Sequence, residues 1–118
     1  MNGLSTHVLD TVGGKPAAGV AIDLDVLEAD GSWRRLLQVT TNADGRTDQP
    51  LLAGGDFKTG TYMLTFHMGP YFKALGLGLA DPPFLDLIPL RFSVAEADAH
   101  YHVPLLATPW SYSTYRGS

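Results

Sequence analysis

The segment VAIDLDVL (residues 20–27) decides the fold class, because apolar side chains occupy every second position along it. The apolar positions run from Val20 to Val26, and the positions between them include Asp23 and Asp25. A period of two predicts a β-strand that buries one face and exposes the other. We therefore interpret the two carboxylates as part of a solvated sheet face and not as an acid–base pair.

Turn signals and further alternating segments continue this pattern along the chain. Asp30-Gly31 predicts a hairpin turn, since glycine readily adopts positive φ, and a returning strand follows at residues 33–41. A second turn containing Asp-Gly is predicted at residues 42–46. Further strands are predicted at residues 60–68, 84–94, 100–108 and 109–118. In the first of these, one face carries Tyr62, Leu64, Phe66 and Met68.

Two prolines refine this prediction. Pro89 lies within the strand at residues 84–94 and cannot donate a backbone hydrogen bond, so we expect that strand at a sheet edge or a bulge. Pro70 suits the first turn of a short helix within residues 69–79, and Gly76 suits its end. The elements together predict an all-β sandwich of seven or eight short strands with one short helix. The length of 118 residues corresponds to a single domain, residues 1–118.

Composition and charge exclude several classes of protein. The net charge of −4 argues against nucleic-acid binding, which requires a basic face. The absence of cysteine rules out disulfides, thiolate zinc sites and cysteine nucleophiles. No apolar run approaches the length of a membrane span, about 20 residues. The first residues lack the basic start and apolar core of a signal peptide, so we expect a cytoplasmic protein without a membrane partner.

Four histidines are the first candidates for chemistry. His100 and His102 are two residues apart, so on an extended strand both point to the same side, an arrangement that suits a metal ion. The alternative is that His100 is simply exposed at the start of its strand, since no third ligand follows at a fitting spacing. His67, next to a strand end, is interpreted as a surface or interface residue. His7 shares a strand face with Ser5.

Two arginines leave alternatives open. Arg46 follows the second Asp-Gly turn, which can aim a guanidinium group into a cleft, where it grips a carbonyl oxygen or an oxyanion. The alternative is a solvated loop arginine that caps the neighbouring Asp48. The same two interpretations apply to Arg116, which could also be a surface charge at the end of the last strand.

Five ordered blocks of sequence carry a resemblance to a known family. They are STHVLDTVGGKPA (5–17), TNADGRTD (41–48), GTYMLTF (60–66), YHVPLL (101–106) and SYSTYRGS (111–118). Together they resemble the 5-hydroxyisourate hydrolases, the transthyretin-related enzymes of purine degradation, over essentially the whole chain. The tetrapeptide at residues 115–118 resembles the signature of that family. Residues 76–89 depart from the family by being more apolar and less charged.

The resemblance implies a fold, an assembly and a reaction. The implied fold is a transthyretin-like sandwich of two four-stranded sheets with one short helix. The implied assembly is a homotetramer whose active sites lie at the dimer–dimer interface. The implied reaction is hydrolysis of a cyclic amide, which converts the small-molecule substrate 5-hydroxyisourate to 2-oxo-4-hydroxy-4-carboxy-5-ureidoimidazoline. No metal or organic cofactor is implied.

The resemblance also implies the site residues by their matching positions. The implied catalytic residues are His7, Arg46, His102 and Ser118, and the implied substrate-binding residues are His7, Arg46 and Tyr115. Histidine suits proton transfer from water near neutral pH, and arginine suits stabilisation of an oxyanion. Ser118 would orient the water or a histidine, and which histidine is the general base stays open. We expect a C-terminal tag or deletion of Ser118 to impair catalysis more than folding.

Two other functions compete with this hypothesis. Transthyretin itself shares the implied fold and carries thyroid hormone in the same interface channel, so the fold alone cannot separate carrier from enzyme. The hormone carriers lack the terminal tetrapeptide and the histidine pattern that this chain has. The other competitor is a structural or metal-storing sandwich that uses His100 and His102.

Overall fold

The computed structural model describes residues 2–117. This part of the chain contains eleven strands, one α-helix and one 3₁₀ turn. The strands are β1 (Gly3–Ser5), β2 (Val8–Asp10), β3 (Lys15–Pro16), β4 (Ala21–Leu27), β5 (Trp33–Thr40), β6 (Leu52–Ala53), β7 (Gly60–His67), β8 (Leu87–Val94), β9 (His100–His102), β10 (Leu105–Ala107) and β11 (Tyr112–Thr114). The helix α1 is Met68–Ala74, and the 3₁₀ turn is Gly54–Asp56.

The first sheet has the strand order β5-β4-β7-β8, and all its pairs are antiparallel. The predicted hairpin joins β4 to β5, and Gly31 in its turn has φ of 88°, a conformation that favours glycine. Strand β8 pairs with β7 alone within the described chain, so Pro89 lies on an edge strand as predicted.

The second sheet is built from short strands that continue one another. β2 continues the line of β1, and β10 continues the line of β9, so that the two lines lie side by side as one parallel pair. β6 pairs with β1 and β3 pairs with β2 on one side, and β11 pairs with β10 on the other. Hydrogen bonds from Val103 N to Ser5 O and from Leu105 N to His7 O, both 2.9 Å, carry the pairing across the two breaks. Pro104 lacks an amide donor at the break. When short strands that follow one another along the same line of the sheet are counted as one strand, each of the two sheets has the predicted four strands.

The core lies between the two sheets, which pack face to face as a sandwich. The inward side chains of both sheets are fully or nearly fully buried in one cluster. From the second sheet these include Leu4, Val8, Tyr101 and Leu105, and from the first Ile22, Leu24, Leu64, Phe66 and Ile88. The period-two pattern of residues 20–27 and 60–68 therefore assigns the core faces correctly.

The prediction that Asp23 belongs to a solvated sheet face is wrong. Asp23 is only 6% exposed, although it lies on the outer face of the first sheet. His67 Nε2 donates to Asp23 Oδ2 at 2.8 Å, and Gln38 Nε2 donates to Asp23 Oδ1 at 2.6 Å. Arg35 also covers this face, with Nε donating to Asp25 Oδ1 at 2.6 Å. His67, the last residue of β7, is therefore a partly exposed side chain that pairs with Asp23.

The helix α1 has the predicted length of about two turns and begins at Met68, one residue before the predicted segment at residues 69–79. Pro70 lies in its first turn as predicted, and Gly76, with φ of 69°, follows its end. Phe72 is buried in the core, and Tyr71 donates its hydroxyl to Asp10 Oδ2 at 2.8 Å, which ties the helix to β2. Residues 77–86 form no helix or strand. Within residues 2–117, no helix combines the length and apolar character that crossing a bilayer requires.

Candidate active site

Two strands of the second sheet bring the predicted histidines to one outer face. Because Leu4, Thr6 and Val8 point into the core, Ser5 and His7 between them face outward. Ser5 is paired in register with His102 on β9. Tyr101 points inward, so His100 and His102 share the outer face, as the sequence predicts. We call Ser5, His7, His100 and His102 the histidine cluster.

Ser5 joins two members of the histidine cluster. Its Oγ lies 2.8 Å from His102 Nδ1 and 3.2 Å from His100 Nε2, both hydrogen-bond distances. His102 is partly buried and His100 is exposed. The sequence placed Ser5 on the face of His7, but nothing in the sequence indicated that it contacts two imidazoles across the sheet.

Arg46 is held beside the cluster by the turn that precedes it. Asn42 Oδ1 accepts hydrogen bonds from Asp44 N at 2.9 Å and from Arg46 N at 3.2 Å. Gly45 has φ of 72° and lies against β2, where its carbonyl accepts a hydrogen bond from Val8 N at 2.8 Å. A β-carbon at residue 45 would stand 2.4 Å from Val8 O, so this close approach requires glycine.

The same turn also orients His7. His7 Nε2 donates to the Asp44 carbonyl oxygen at 2.8 Å, which leaves Nδ1 as the nitrogen that faces other partners. The alternative in which Arg46 caps Asp48 is not observed, because Asp48 Oδ1 accepts from Asn42 Nδ2 at 3.0 Å. Within residues 2–117, the Arg46 guanidinium forms no ion pair and is exposed. It is therefore available to an anionic or carbonyl group.

The electrostatics of the cluster favour neutral His102. Burial lowers the pKa of His102 below its ordinary value of 6.5, and the positive charges of Arg46, His7 and His100 lower it further. These charges act on His102 because the side chains lie near it on the same face. A neutral imidazole keeps a free nitrogen near neutral pH, which a general base requires.

The segment that follows β11 closes one side of the cluster. Gly117 N donates to His102 O at 2.7 Å, and these two residues form an isolated antiparallel bridge. Thr114 Oγ1 donates to Pro104 O at 2.7 Å and ties β11 to the break between β9 and β10. Residue 118 is joined directly to Gly117, but Ser118, which the resemblance implies as catalytic, lies outside the described residues.

The sequence did not indicate a contact for Arg116 or Gly117, of which Gly117 lies against His102 and Arg116 lies in the cleft at the edge of the sandwich. Arg116 is exposed after the last strand, as the surface-charge interpretation expects, and its guanidinium carbon lies 3.8 Å from the centre of the Tyr101 ring, a cation–π contact. A β-carbon at residue 117 would stand 2.8 Å from Cδ2 of His102. The position of both residues in the signature tetrapeptide was the only signal that could have indicated them.

Tyr115 is not brought into the histidine cluster. Its side chain is 58% exposed and lines a cleft at the edge of the sandwich with Tyr112 and Arg91. Within residues 2–117 it forms no hydrogen bond with a histidine. Nor does this part of the chain place three or more histidine or carboxylate side chains where they could hold a metal ion together.

Comparisons with known proteins agree with this fold. The chain is 60% identical over 116 residues to "5-hydroxyisourate hydrolase 2" of Rhizobium meliloti (strain 1021), an alignment that covers 98% of the chain and 95% of that protein. A crystal structure of (S)-allantoin synthase superposes with a TM-score of 0.93 at 47% identity over 99% of the chain, which spans 44% of that longer protein. Sea bream transthyretin in complex with thyroxine gives a TM-score of 0.86 at 30% identity, covering 97% of the chain and 93% of the transthyretin.

A family model extends the match to nearly every described residue. The model of the HIUase/Transthyretin family matches residues 4–117, which include the histidine cluster, the Arg46 turn and the segment up to Gly117. The resemblance inferred from the five sequence blocks is confirmed at the level of the family. On its sequence, its sandwich of two sheets and its matches to relatives, the chain belongs to the HIUase/Transthyretin family.

Proposed function

We propose that this protein is an enzyme that hydrolyses 5-hydroxyisourate to 2-oxo-4-hydroxy-4-carboxy-5-ureidoimidazoline in urate degradation. The observation that carries the proposal is that His102, whose neutral form is favoured, lies near His7 and near Arg46, which forms no ion pair within residues 2–117. The 60% identity to a relative named 5-hydroxyisourate hydrolase 2 supports the same substrate. The site offers a base, a second imidazole and an oxyanion partner, which are the groups that amide hydrolysis needs.

The proposed first step is attack of water on the carbonyl carbon of the cyclic amide. His102 takes one proton from the water at Nε2, and the new C–O bond pushes an electron pair onto the carbonyl oxygen. The Arg46 guanidinium donates hydrogen bonds to the resulting oxyanion and stabilises it by charge. No cofactor is needed for this chemistry, because water supplies both the hydroxyl group and the proton.

The proposed second step opens the ring. The electron pair on the oxygen re-forms the carbonyl as the C–N bond breaks, and protonated His102 gives its proton to the leaving nitrogen. His7 faces the substrate with Nδ1, since its Nε2 is engaged with the Asp44 carbonyl. We assign His7 to substrate binding and to support of the leaving nitrogen.

The proposal includes Ser118 and Tyr115 as site residues. Ser118 is included because it follows Gly117 directly in the sequence, and Gly117 N donates a 2.7 Å hydrogen bond to His102 O. Tyr115 lies two residues before Gly117 and is exposed, so it is free to meet substrate or a neighbouring subunit. We assign Ser118 to orientation of water or His102, and Tyr115 to substrate binding.

We also propose a homotetramer with the sites at its dimer–dimer interface. The face that carries the histidine cluster also carries half-buried Leu9 and Leu106, which suits coverage by a second copy. Strands β8 and β11 are sheet edges within the described chain, and edge strands pair readily with another chain. Coverage of the face would exclude water from the site and strengthen its electrostatic interactions.

A small-ligand carrier is the second candidate function, because a solved transthyretin in complex with thyroxine shares the fold. The deciding experiment generates 5-hydroxyisourate with urate oxidase and follows its ultraviolet decay with and without the protein. We expect strong acceleration, which His102→Ala and Arg46→Ala remove while leaving the assembly intact. Arg34→Ala, which changes an exposed arginine paired with Glu28, is the control. Decay at the spontaneous rate would favour the carrier.

A further inference from the structure

The Ser5 hydroxyl lies between two imidazoles and has only one proton to share. His102 Nδ1 is 2.8 Å from Oγ and His100 Nε2 is 3.2 Å from it. A serine hydroxyl donates one hydrogen bond and accepts the others. When both contacts are hydrogen bonds, Ser5 can donate to only one imidazole, and the other imidazole must donate to Ser5.

This constraint couples the ring protons of His100 and His102 through the hydroxyl of Ser5. In one arrangement, His100 Nε2–H donates to Ser5 and Ser5 donates to His102 Nδ1, so neutral His102 carries its proton on Nε2. In the other, His102 Nδ1–H donates to Ser5 and Ser5 donates to His100 Nε2. Neutral His102 then carries its proton on Nδ1 and has a free Nε2.

We propose that Ser5 and His100 are positioning residues that hold His102 in the tautomer with its proton on Nδ1 and its Nε2 free. The hydrogen-bond chain runs from His102 Nδ1–H to Ser5 Oγ and from Ser5 Oγ–H to His100 Nε2. Its effect on catalysis rests on the proposed function, in which His102 Nε2 takes the proton from water. The tautomer itself can be observed without any substrate.

The surroundings of His102 fit this arrangement. Burial and the positive charge of Arg46 favour the neutral imidazole of His102, so a single ring proton has to be placed. Ser5 is the hydrogen-bond partner of Nδ1, and the Gly117 amide contacts the His102 backbone carbonyl, not its ring nitrogens. His100 Nε2 lies 3.2 Å from Ser5 Oγ, within reach of the hydrogen bond that Ser5 donates in this arrangement.

The direct test is a nitrogen NMR measurement of the His102 tautomer in the intact protein at neutral pH. Protonated and unprotonated ring nitrogens have well-separated ¹⁵N shifts, and the spectrum of His102→Gln identifies which of the four histidines is His102. We expect Nδ1 protonated and Nε2 unprotonated in the wild type. Protonated Nε2 in the neutral wild-type imidazole would overturn the proposal.

Four variants make the test specific. Ser5→Ala removes the hydroxyl, so we expect His102 to relax to the tautomer mixture of an unconstrained imidazole, whereas Ser5→Thr keeps the hydroxyl and the tautomer. His100→Lys can only donate, so it forces Ser5 to donate to His102 Nδ1 and moves the His102 proton to Nε2. His100→Gln can accept through its side-chain oxygen and retains the wild-type tautomer. An unchanged tautomer in both Ser5→Ala and His100→Lys would contradict the proposal.

Kinetics separate this inference from the proposed function. We expect kcat to fall on the order of tenfold in Ser5→Ala and about a hundredfold in His100→Lys, with KM changed little, because the orientation of the base is affected and not substrate binding. If the wild type does not hydrolyse 5-hydroxyisourate, the proposed function fails and the NMR result stands. If the wild type is active and neutral His102 is protonated on Nε2, the tautomer proposal alone fails.

Discussion

Gly117 lies against the imidazole of His102 so closely that a β-carbon on residue 117 would stand 2.8 Å from Cδ2 and 3.2 Å from Cβ of that histidine. The φ of Gly117 is not positive, so its backbone conformation does not require glycine. Glycine is required at residue 117 because the His102 side chain occupies the space that a β-carbon would need. A single methyl group at this position therefore tests how much the site depends on the placement of one ring.

Gly117→Ala should lower kcat/KM for 5-hydroxyisourate by up to about a hundredfold, because a displacement of about 1 Å at a reacting group has an effect of that size. The fold should persist, since the methyl group lies at the outer face and not in the core. Activity and thermal unfolding measured on the same preparation check both statements.

Gly55→Ala is the matched control for that substitution. Gly55 also lacks positive φ, and a β-carbon there would meet nothing within 4 Å. We expect wild-type activity and stability in Gly55→Ala. Equal activity in both alanine variants would show that His102 tolerates displacement, contrary to the role assigned to it.

The charge of Arg46 should set the acid limit of activity. Burial first, and then Arg46, lower the pKa of His102, so neutral His102 persists to a lower pH than an ordinary imidazole. Activity that needs neutral His102 is then lost as the pH falls through this lowered pKa. In Arg46→Ala the pKa should rise, and the acid limb of the residual kcat/KM should move to higher pH.

A proton NMR titration of His102 between about pH 5 and 8 measures the same shift without turnover. Arg34→Ala serves as the control, because Arg34 is paired with Glu28 in the β4–β5 hairpin and is not among the charges that act on His102. A His102 midpoint that stays fixed or moves down in Arg46→Ala would show that Arg46 does not act on this imidazole.

The Asp23 carboxylate should contribute stability that depends on pH. Burial alone would raise its pKa, but the hydrogen bonds from His67 and Gln38 and the charges of His67 and Arg35 outweigh burial and hold the pKa below 3.8. A pKa lowered by folding contributes stability that is present above the unfolded value and is lost as the pH falls through the folded value. Asp23→Asn should therefore lower the free energy of unfolding by about 1–2 kcal/mol near neutrality.

The difference between wild type and Asp23→Asn should shrink below about pH 4, where the wild-type carboxylate begins to be protonated. Denaturant unfolding at a series of pH values gives this comparison. Asp56→Asn, a change at an exposed carboxylate in the 3₁₀ turn, should show almost no difference at any pH. A constant gap between wild type and Asp23→Asn down to acid pH would contradict the proposed ion pair.

The hydroxyl of Tyr71 should stabilise the attachment of α1 to β2. It donates to Asp10 Oδ2 at 2.8 Å, and the other Asp10 oxygen accepts from Val12 N and Gly13 N, both at 2.9 Å. Tyr71→Phe should cost about 1–3 kcal/mol of unfolding free energy, the usual value for a hydrogen bond to a charged group. Tyr112→Phe, at an exposed tyrosine, is the control.

A spectrophotometric titration tests the same contact independently. Burial and then the contact with Asp10 raise the pKa of Tyr71 to about 12. Since this pKa is raised by folding, the stability it represents is present below the unfolded value of 10 and is lost as the pH rises toward 12. Tyr71→Phe should remove an ionisation near pH 12, and an unchanged titration would contradict the assignment.

Local patterns in the sequence were sufficient for much of the fold. The alternation in residues 20–27 and 60–68 predicts β4 and β7 with their buried faces, and Pro89 predicts the edge position of β8. These features depend on neighbouring residues only, since side-chain direction in a strand alternates with sequence position. The breaks that divide the second sheet into short strands were not predicted, because they arise where two strands from opposite ends of the chain meet.

The site was predictable in part for a different reason. The residue types His7, Arg46 and His102 could be selected through the resemblance, whereas periodicity and spacing left their roles open. The contact of Ser5 with two histidines and the covering of Asp23 by His67 were not predictable, because the partners are 97 and 44 residues apart.

Local periodicity, glycine and proline chemistry and ordered motifs were enough to predict the long strands, their turns, the short helix and the family of this protein. Which polar side chains meet depends on how the folded chain packs. Pairing β1 with β9 in register places Ser5 beside His102, and the return of the chain after β11 places Gly117 against the same ring. Hydrogen bonding and steric contact act over a few ångströms in space, and a linear sequence does not specify those distances until the chain has folded.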